Sequence, residues 1–413
     1  MSLREPVTRS TGGTRRAACD APGSVVAPRR PTPRGVPAAF PLAALVVASL
    51  LWTTITHAQA PPDSAESIRT GAPPSRDASA AEHAVTAPRL DLHGFFDVDM
   101  SAGTTRSSAG DSSSFQATLG QFDLYMLSRL SERISFLGEL VIESEAASGS
   151  QIDLERAHVR YAVADWLQVT AGRTHSPISL WNVVYHHGAL LEPTVARPGP
   201  VQFEDEGGLL PLHAVGFELG GHLPAGPFRL QYTASVSNGR GATPDEVQIT
   251  QDRNREKALG LALSCMLEQP FALTWGGAFH HDRIPSLDPA AGALDQNIFS
   301  AHAAAHSDRF EVLAEYFAVR DRDRMSGRVS DQRAWYGVVS SGSGRWHPYG
   351  AAERVEIDRG DRYFGPTLES MQRVIGGLRL DVAESNVVKL EYRNTLQAGV
   401  RAHELVLQTA FTF

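Results

Sequence analysis

Histidine, serine, arginine and carboxylate side chains gather in a few short stretches of this 413-residue chain. "RTHSPISLWNVVYHHG" holds His175, His186 and His187, with Ser176 and Ser179 beside the first of them, and "FHHD" holds His280, His281 and Asp282. Imidazole with carboxylate is a donor set for a transition metal, and serine beside histidine is the beginning of a nucleophile–base pair. No two of these histidines have a spacing that forces a common coordination centre, and the sequence places no carboxylate to orient His175. The expectation is no metal site, no catalytic residue and no cofactor. A third group is of another kind. In "ERAHVRYA", Arg156, His158 and Arg160 share one face of an extended chain. Guanidinium groups stay charged at physiological pH and bind phosphate or carboxylate oxygens in pairs.

The elements that must position these groups are strands. From Arg89 to the end, short runs alternate with period two. "RLDLHGFFDVDM" sets Leu90, Leu92, Phe96, Val98 and Met100 against Asp91, His93, Asp97 and Asp99, and "NVVKLEYRN" sets Val388, Leu390 and Tyr392 against Lys389, Glu391 and Arg393. There are about sixteen such runs, each roughly as long as a tilted membrane strand requires. A soluble sandwich would also alternate, with its greasy faces inward. The connections discriminate: two-residue or similarly tight joints such as Ser131–Glu132, Ala164–Asp165 and Ser307–Asp308 alternate with long ones, "SAGTTRSSAGDSS", 174–211, 239–254, 282–294, 320–331 and 358–367. Tight turns on the periplasmic side with long loops outside are the rhythm of a membrane barrel. The fold expected over 89–413 is therefore all-β, a transmembrane antiparallel β-barrel of about sixteen strands with long outer loops and short periplasmic turns. The chain closes on "HELVLQTAFTF", another such strand, which should shut the barrel against the first. Phe411 and Phe413 then fall in the interfacial aromatic girdle, and an aromatic end resembles the assembly signal of bacterial outer-membrane proteins.

The remaining sequence agrees. An Arg- and Pro-rich lead, the apolar run "FPLAALVVASLLWTTI" and the small-residue exit "THAQA" make a signal peptide over 1–58. Residues 59–88 are Pro, Ala, Ser and charge without periodicity, a disordered linker. Of 38 basic and 46 acidic residues, seven and two lie in the first 60, which leaves a net charge of −13 afterwards. Nucleic acid rewards a basic footprint and is not expected as a partner. The expected location is the cell outer membrane, with its lipid bilayer as one partner and small solutes or ions as the other.

The stretch "LQVTAGRTHSPISLWNVVYHHGALLEPTVARPGP", with "HAVGFELGG" and "FRLQYTASVSNG" after it, resembles the phosphate-selective porin O and P family. The resemblance spans roughly 89–240 and rests on Ala171, Gly172, Arg173, Pro177, Asn182, Arg197, Pro198, Asn238 and Gly239. It departs where "PIS" replaces the usual "PFG", and no dense lysine ladder is present. What the resemblance implies is a sixteen-stranded homotrimeric porin, a passive diffusion channel for small polar or anionic solutes, phosphate included. The alternative is a closed outer-membrane barrel acting as an enzyme of phospholipase or protease type, an adhesin or an assembly component.

Loop 174–211 is by far the longest connection and is similar in position to the porin loop that folds inward and narrows the channel. Near its end Glu204, Asp205 and Glu206 stand together as constriction-loop acids, where fixed charges sort ions at close range. The inward parity assigns Arg156, His158, Arg160, Arg229, Lys389 and Arg393 to the pore wall as anion-binding groups, with Arg197 as a loop partner. Arg173 follows the outward parity of Leu167, Val169 and Ala171 unless Gly172 introduces a bulge.

Overall fold

The structure, a computed structural model, describes residues 89–413 apart from 109, 146–148, 187, 204–205, 247–254 and 343. The signal peptide and linker expected over 1–88 lie outside the described residues, as do Glu204, Asp205 and His187. Among the described residues sixteen strands form: β1 (Arg89–Ser107), β2 (Gly110–Arg129), β3 (Ile134–Glu145), β4 (Gly149–Ala164), β5 (Leu167–His175), β6 (His213–Ala225), β7 (Phe228–Ser237), β8 (Ala258–Leu267), β9 (Ala272–Ile284), β10 (Leu294–Ser307), β11 (Phe310–Asp323), β12 (Val329–Ser341), β13 (Trp346–Glu356), β14 (Met371–Ala383), β15 (Asn386–Gln397) and β16 (Val400–Thr412). Each is antiparallel to the next, and β16 returns to β1, so the sheet closes. Closure leaves no unpaired edge, the condition for a sheet to cross a bilayer.

The alternation seen in the sequence sorts the side chains as expected. Leu92, Leu219, Leu261, Phe299, Val339, Val374, Leu390 and Leu405 are exposed on the outer face, while Asp123, Glu139, Glu315, Gln332 and Glu391 are buried within. The last strand is tied to the first at its very end. Gly94 N donates to Phe413 O and Phe413 N to Gly94 O, both at 3.0 Å. Phe411 stacks on Phe96 with ring centroids 6.4 Å apart, and Phe413 packs on Phe122 at 5.6 Å. With Trp166, Phe228 and Trp346, also exposed at this end, they form an aromatic belt.

Turns at the end that carries Phe413 are uniformly short, such as 165–166, 226–227 and 384–385. At the opposite end the expected long loops are only partly present. "SAGTTRSSAGDSS" is not a loop: β1 and β2 run on as a ribbon, pairing Thr104 with Ser113, Thr105 with Ser112 and, at the tip, Ser107 with Gly110. Its residues are polar on both faces, so strand pairing there leaves no hydropathy alternation to read. The β15–β16 connection is also tight, with Ala398 and Gly399 both at positive φ (52° and 77°), the left-handed pair that a two-residue hairpin turn demands. The expected long connections that remain are 176–212, 238–257, 285–293 and 357–370, while the one expected over 320–331 shortens to 324–328 because β11 and β12 run on.

The apolar core lies inside the barrel rather than between sheets. Ile178, Trp181, Val201, Leu209, Leu210 and Leu212 of the 176–212 connection pack on Ile298, Leu313, Phe317, Ala334 and Tyr336 of the inner wall. The wall therefore turns apolar where a loop covers it, and stays polar elsewhere.

Leu390 sits mid-strand on the lipid face, opposite Leu378 and Leu407. Leu390→Arg is expected to lower stability by roughly 2–4 kcal/mol, against within about 0.5 kcal/mol for Ala262→Ser on the inner face, measured by denaturant unfolding in lipid vesicles. Equal costs would mean that the two faces are misassigned. Deletion of Phe413 removes both hydrogen bonds to Gly94 and the contact with Phe122, and should reduce the folded barrel recovered from membranes; unchanged recovery would exclude a role in assembly.

Candidate functional site

A chain that leaves a strand for the interior of a barrel carries backbone N–H and C=O groups that need partners. The charged residues of the inner wall supply them to loop 176–212. Glu315 Oε1 accepts from Ser179 Oγ (2.8 Å), from Trp181 N (2.9 Å) and from Tyr336 OH, and Oε2 accepts from Leu180 N (2.8 Å). These donors include the first N–H groups of the short helix α1 (Leu180–Val184), whose N-cap Ser179 also accepts from Asn182 N. Glu391 accepts from Val195 N (2.7 Å), Ala196 N (3.0 Å) and Tyr349 OH (2.9 Å). Glu353 accepts from Gly199 N at 2.5 Å.

The cations take the carbonyls. Lys389 Nζ donates to Ala189 O (2.6 Å) and Thr194 O (3.0 Å), Arg379 to Leu190 O (2.8 Å), and Arg373 to Arg197 O (2.6 Å). Tyr185 OH donates to Glu311; burial and that carboxylate push the phenol up, so it stays a donor. The connection expected to fold inward over 174–211 thus does so over 176–212, held on β11 and β13–β15.

This use of the wall corrects several assignments. Lys389 is fully buried, with its ammonium spent on the loop, and is not a pore-facing anion site. Arg393 pairs with Glu391 (2.6 Å) and Glu404 (3.1 Å). Arg197 donates to Val201 O (2.5 Å) and His186 O (2.7 Å) and lies over the Phe203 ring at 4.0 Å, a strut within the loop. Arg156 pairs with buried Glu139, and His158 is buried. Arg229 pairs with Glu268 at 2.5 Å beside the periplasmic turn. Of the strand-four trio, Arg160 is the exposed one, its Nε donating to Thr170 Oγ1 at 3.4 Å. Glu206 is exposed and accepts from Gln202 Nε2.

Two local irregularities build a cluster that parity does not foresee. Register shifts between β3 and β4: Glu139 faces Arg156 while Leu140 faces Leu154, so Glu155 is the extra residue of a bulge. Leu154 is exposed outside and Glu155 is buried. On β5, Gly172 takes φ 133°, and a Cβ there would meet Ala157 O at 2.2 Å. Beyond it Arg173 is buried, its Nε donating to Glu155 O at 3.1 Å; the outward position that parity gave it is corrected, although the register runs unbroken through Gly172 and no bulge lies there. His175 follows it inside, 3.8 Å from Glu139.

Glu155, His175, His186 and His213 then meet, with one donor atom from each lying within 4.8 Å of all the others. His213 Nε2 is 2.5 Å from Glu155 Oε2, His186 Nε2 is 3.5 Å from the same oxygen, and the two Nε2 atoms are 3.1 Å apart. The His175 and His186 rings stack at 3.5 Å. The four side chains are 2–6% exposed. The sequence singled out His175 and His186; it held no signal for Glu155 or His213, which come from other strands. Carboxylates do stand beside His175, contrary to expectation. Of the second group of donors in the sequence, His280 and Asp282 are buried on β9, with Asp282 accepting from Arg240 N at 2.7 Å.

No protein-family model matches this chain, and no curated protein matches it. Among solved structures it is similar to the anion-selective porin from Comamonas acidovorans (TM-score 0.55, 12% identity, over 79% of this chain and 100% of that one). It is likewise similar to OmpT, an outer membrane protein of Vibrio cholerae, in its trimer form (0.51, 10%, 79% and 100%). A third is the outer membrane channel DcaP of Acinetobacter baumannii (0.51, 12%, 79% and 97%). At these identities the likeness establishes the fold: the chain is a sixteen-stranded outer-membrane β-barrel of porin architecture.

Glu391→Ala would leave two loop N–H groups, a phenol and the Arg393 guanidinium without their shared acceptor. Breaking such a buried pair costs about 3–5 kcal/mol, and should appear as a lower thermal midpoint together with faster proteolysis within 176–212. A variant that keeps the loop protected would show that Glu391 does not hold it.

Proposed function

We propose that this chain is a passive diffusion channel of the outer membrane for small polar or anionic solutes, phosphate among them, and that it works as a homotrimer. The observation that carries this reading is loop 176–212 docked within the barrel by wall carboxylates and cations. A loop fixed at that depth narrows the lumen and sets which solutes pass. Opposite it, the inner face carries Arg160, Gln168, Thr233, Ala262 and Ser264, none of them buried, a polar and small-residue wall suited to a wet path. The anion selectivity of the Comamonas porin and the trimer form of Vibrio OmpT support the finer parts of the proposal.

The sign of selectivity rests on local charge. Most cations of the wall are neutralised by a carboxylate or bound to the loop, while Arg160 is exposed to the lumen. A guanidinium in a narrow aqueous path raises local anion concentration irrespective of total charge. The proposed preference is weakly anionic and depends on Arg160 more than on its neighbours Arg156 and His158.

One observation favours the closed-barrel alternative. The apolar cluster beneath the loop is large, and connection 357–370 packs onto it, Tyr363 OH donating to Gly241 O (3.2 Å) and Thr243 O (3.1 Å). Catalysis is not part of the proposal: the Ser179 hydroxyl is engaged with Glu315 and Asn182 N.

Planar-bilayer recording separates the two readings. Ohmic steps with a reversal potential on the anion side of a salt gradient are expected, and silence at high protein concentration would overturn the channel. Arg160→Gln should move the reversal potential toward cations, whereas Arg401→Gln, on the outer face of β16, changes the same total charge with little shift. Equal effects from both would refute the role given to Arg160.

A further inference from the structure

We propose that Glu155, His175, His186 and His213 form a binding site for one divalent transition-metal ion of the zinc class, which clamps the root of loop 176–212 to the barrel wall. The donor set is three imidazoles and one carboxylate, suited to Zn²⁺ and its first-row neighbours. Zinc–ligand bonds of about 2.0–2.1 Å imply tetrahedral edges of about 3.3 Å. The His186 Nε2–His213 Nε2 separation of 3.1 Å and the His186 Nε2–Glu155 Oε2 separation of 3.5 Å already have that size. His213 Nε2 and Glu155 Oε2 stand closer, at 2.5 Å; an ion held between them would open this contact by less than an ångström, and both groups ligate in their deprotonated forms.

The surroundings fix one donor, His186, in a ligating state. Asn182 Nδ2 donates to Ser176 O (2.9 Å) and Leu212 O (2.8 Å), which settles the orientation of its amide. Asn182 Oδ1 therefore faces His186 Nδ1 at 2.5 Å and makes that nitrogen the N–H. His186 Nε2 then presents its lone pair to His213 Nε2 at 3.1 Å and Glu155 Oε2 at 3.5 Å. This is the outer-shell device that holds metal-bound imidazoles in one tautomer. Asn182 also ties together the residues that adjoin His175 and His213 in sequence, so a single amide aligns three of the four ligand-bearing segments. With four protein ligands and side chains 2–6% exposed, the site is of the closed, structural type rather than an open catalytic one.

The ligands come from the β4 bulge, from the end of β5 where the loop departs, from the loop behind α1, and from the start of β6 where the loop returns. An ion held by all four fastens both ends and the middle of the inner loop to one point of the wall. That is its inferred work, and it stands whatever solute the barrel passes.

The test is metal binding by the full-length folded protein, which needs no channel recording. Protein stripped with chelator, given Zn²⁺ and freed of excess should retain one ion per chain by mass spectrometry of the metal. Co²⁺ in its place should give the visible absorption of a tetrahedral nitrogen–oxygen site. Glu155→Gln and His213→Ala should lose the retained ion, Asn182→Ala should weaken affinity by about 10–100-fold, and His306→Ala, an exposed imidazole elsewhere on the wall, should change nothing. Barrel folding of each variant is checked by circular dichroism. If His213→Ala does not fold, Glu155→Gln, which keeps the side-chain volume, and the wild-type titration still decide. A folded wild type that takes up no ion, its cluster a proton-sharing network only, would overturn the proposal, as would stoichiometric zinc in a folded Glu155→Gln.

Discussion

Loop 176–212 runs where water is scarce, and each backbone polar group that lacks a partner there costs about 1–3 kcal/mol. Glu315, Glu353 and Glu391 take its N–H groups, while Lys389, Arg373 and Arg379 take its carbonyls. The division is chemical: carboxylates only accept, and ammonium and guanidinium groups only donate. Everything else inside the barrel follows from it. The charges stand on β11 and β13–β15 because the loop passes there, and the apolar cluster of Trp181, Leu209, Phe317 and Tyr336 fills the space between the anchors. A buried Lys389 is tolerable because two carbonyls and the neighbouring Glu391 surround it, an arrangement in which breaking one partner costs far more than the intact network contributes.

The same arrangement divides the lumen into two functions. Where the loop docks, charge is consumed in holding backbone, and its field is largely cancelled. Along β4 and β6–β8, the inner face keeps small and polar side chains, with Arg160 exposed among them. Total charge is then a poor guide to permeation, because the groups that dominate the count are either paired in the wall or far from the path. The net −13 of residues 61–413 and the weak anion preference proposed for the channel are compatible for that reason.

Most of the architecture was legible because a membrane barrel imposes period two on every strand, and one residue of slip would turn each greasy side chain into the lumen. The strand count and the closing role of Phe413 could be read from alternation and connection length, whereas the inward path of the longest loop was suggested by its similarity in position to the porin loop. The hairpin of β1 and β2 beyond Gly103 was not, since Ser, Thr and Gly on both faces erase the hydropathy signal while leaving strand pairing intact. Parity also misjudged what inward-facing charges do. It gives direction but not partner, so Lys389, Arg393 and Arg197 read as pore cations although each is occupied by a carboxylate or by the loop.

The histidine cluster was illegible for a further reason, which bears on what bulges are for. A regular strand offers one inward residue in two, so Glu155 beside Arg156 would point at lipid, and His175 would follow Ala171 outward. The bulge at Glu155 breaks period two on β4 and adds a consecutive inward side chain, while at the adjacent place on β5 Gly172 takes a φ of 133° with its register unbroken and Arg173 is buried beyond it. Both defects lie where loop 176–212 leaves the wall. They bring a carboxylate and an imidazole to the point that His186 and His213 approach from the loop and from β6. Irregularities of this sort cost ladder hydrogen bonds and persist where they aim a side chain. Their coincidence on one buried cluster, with Asn182 aligning the segments around it, is what makes the root of the loop a designed junction rather than a place where strands merely end.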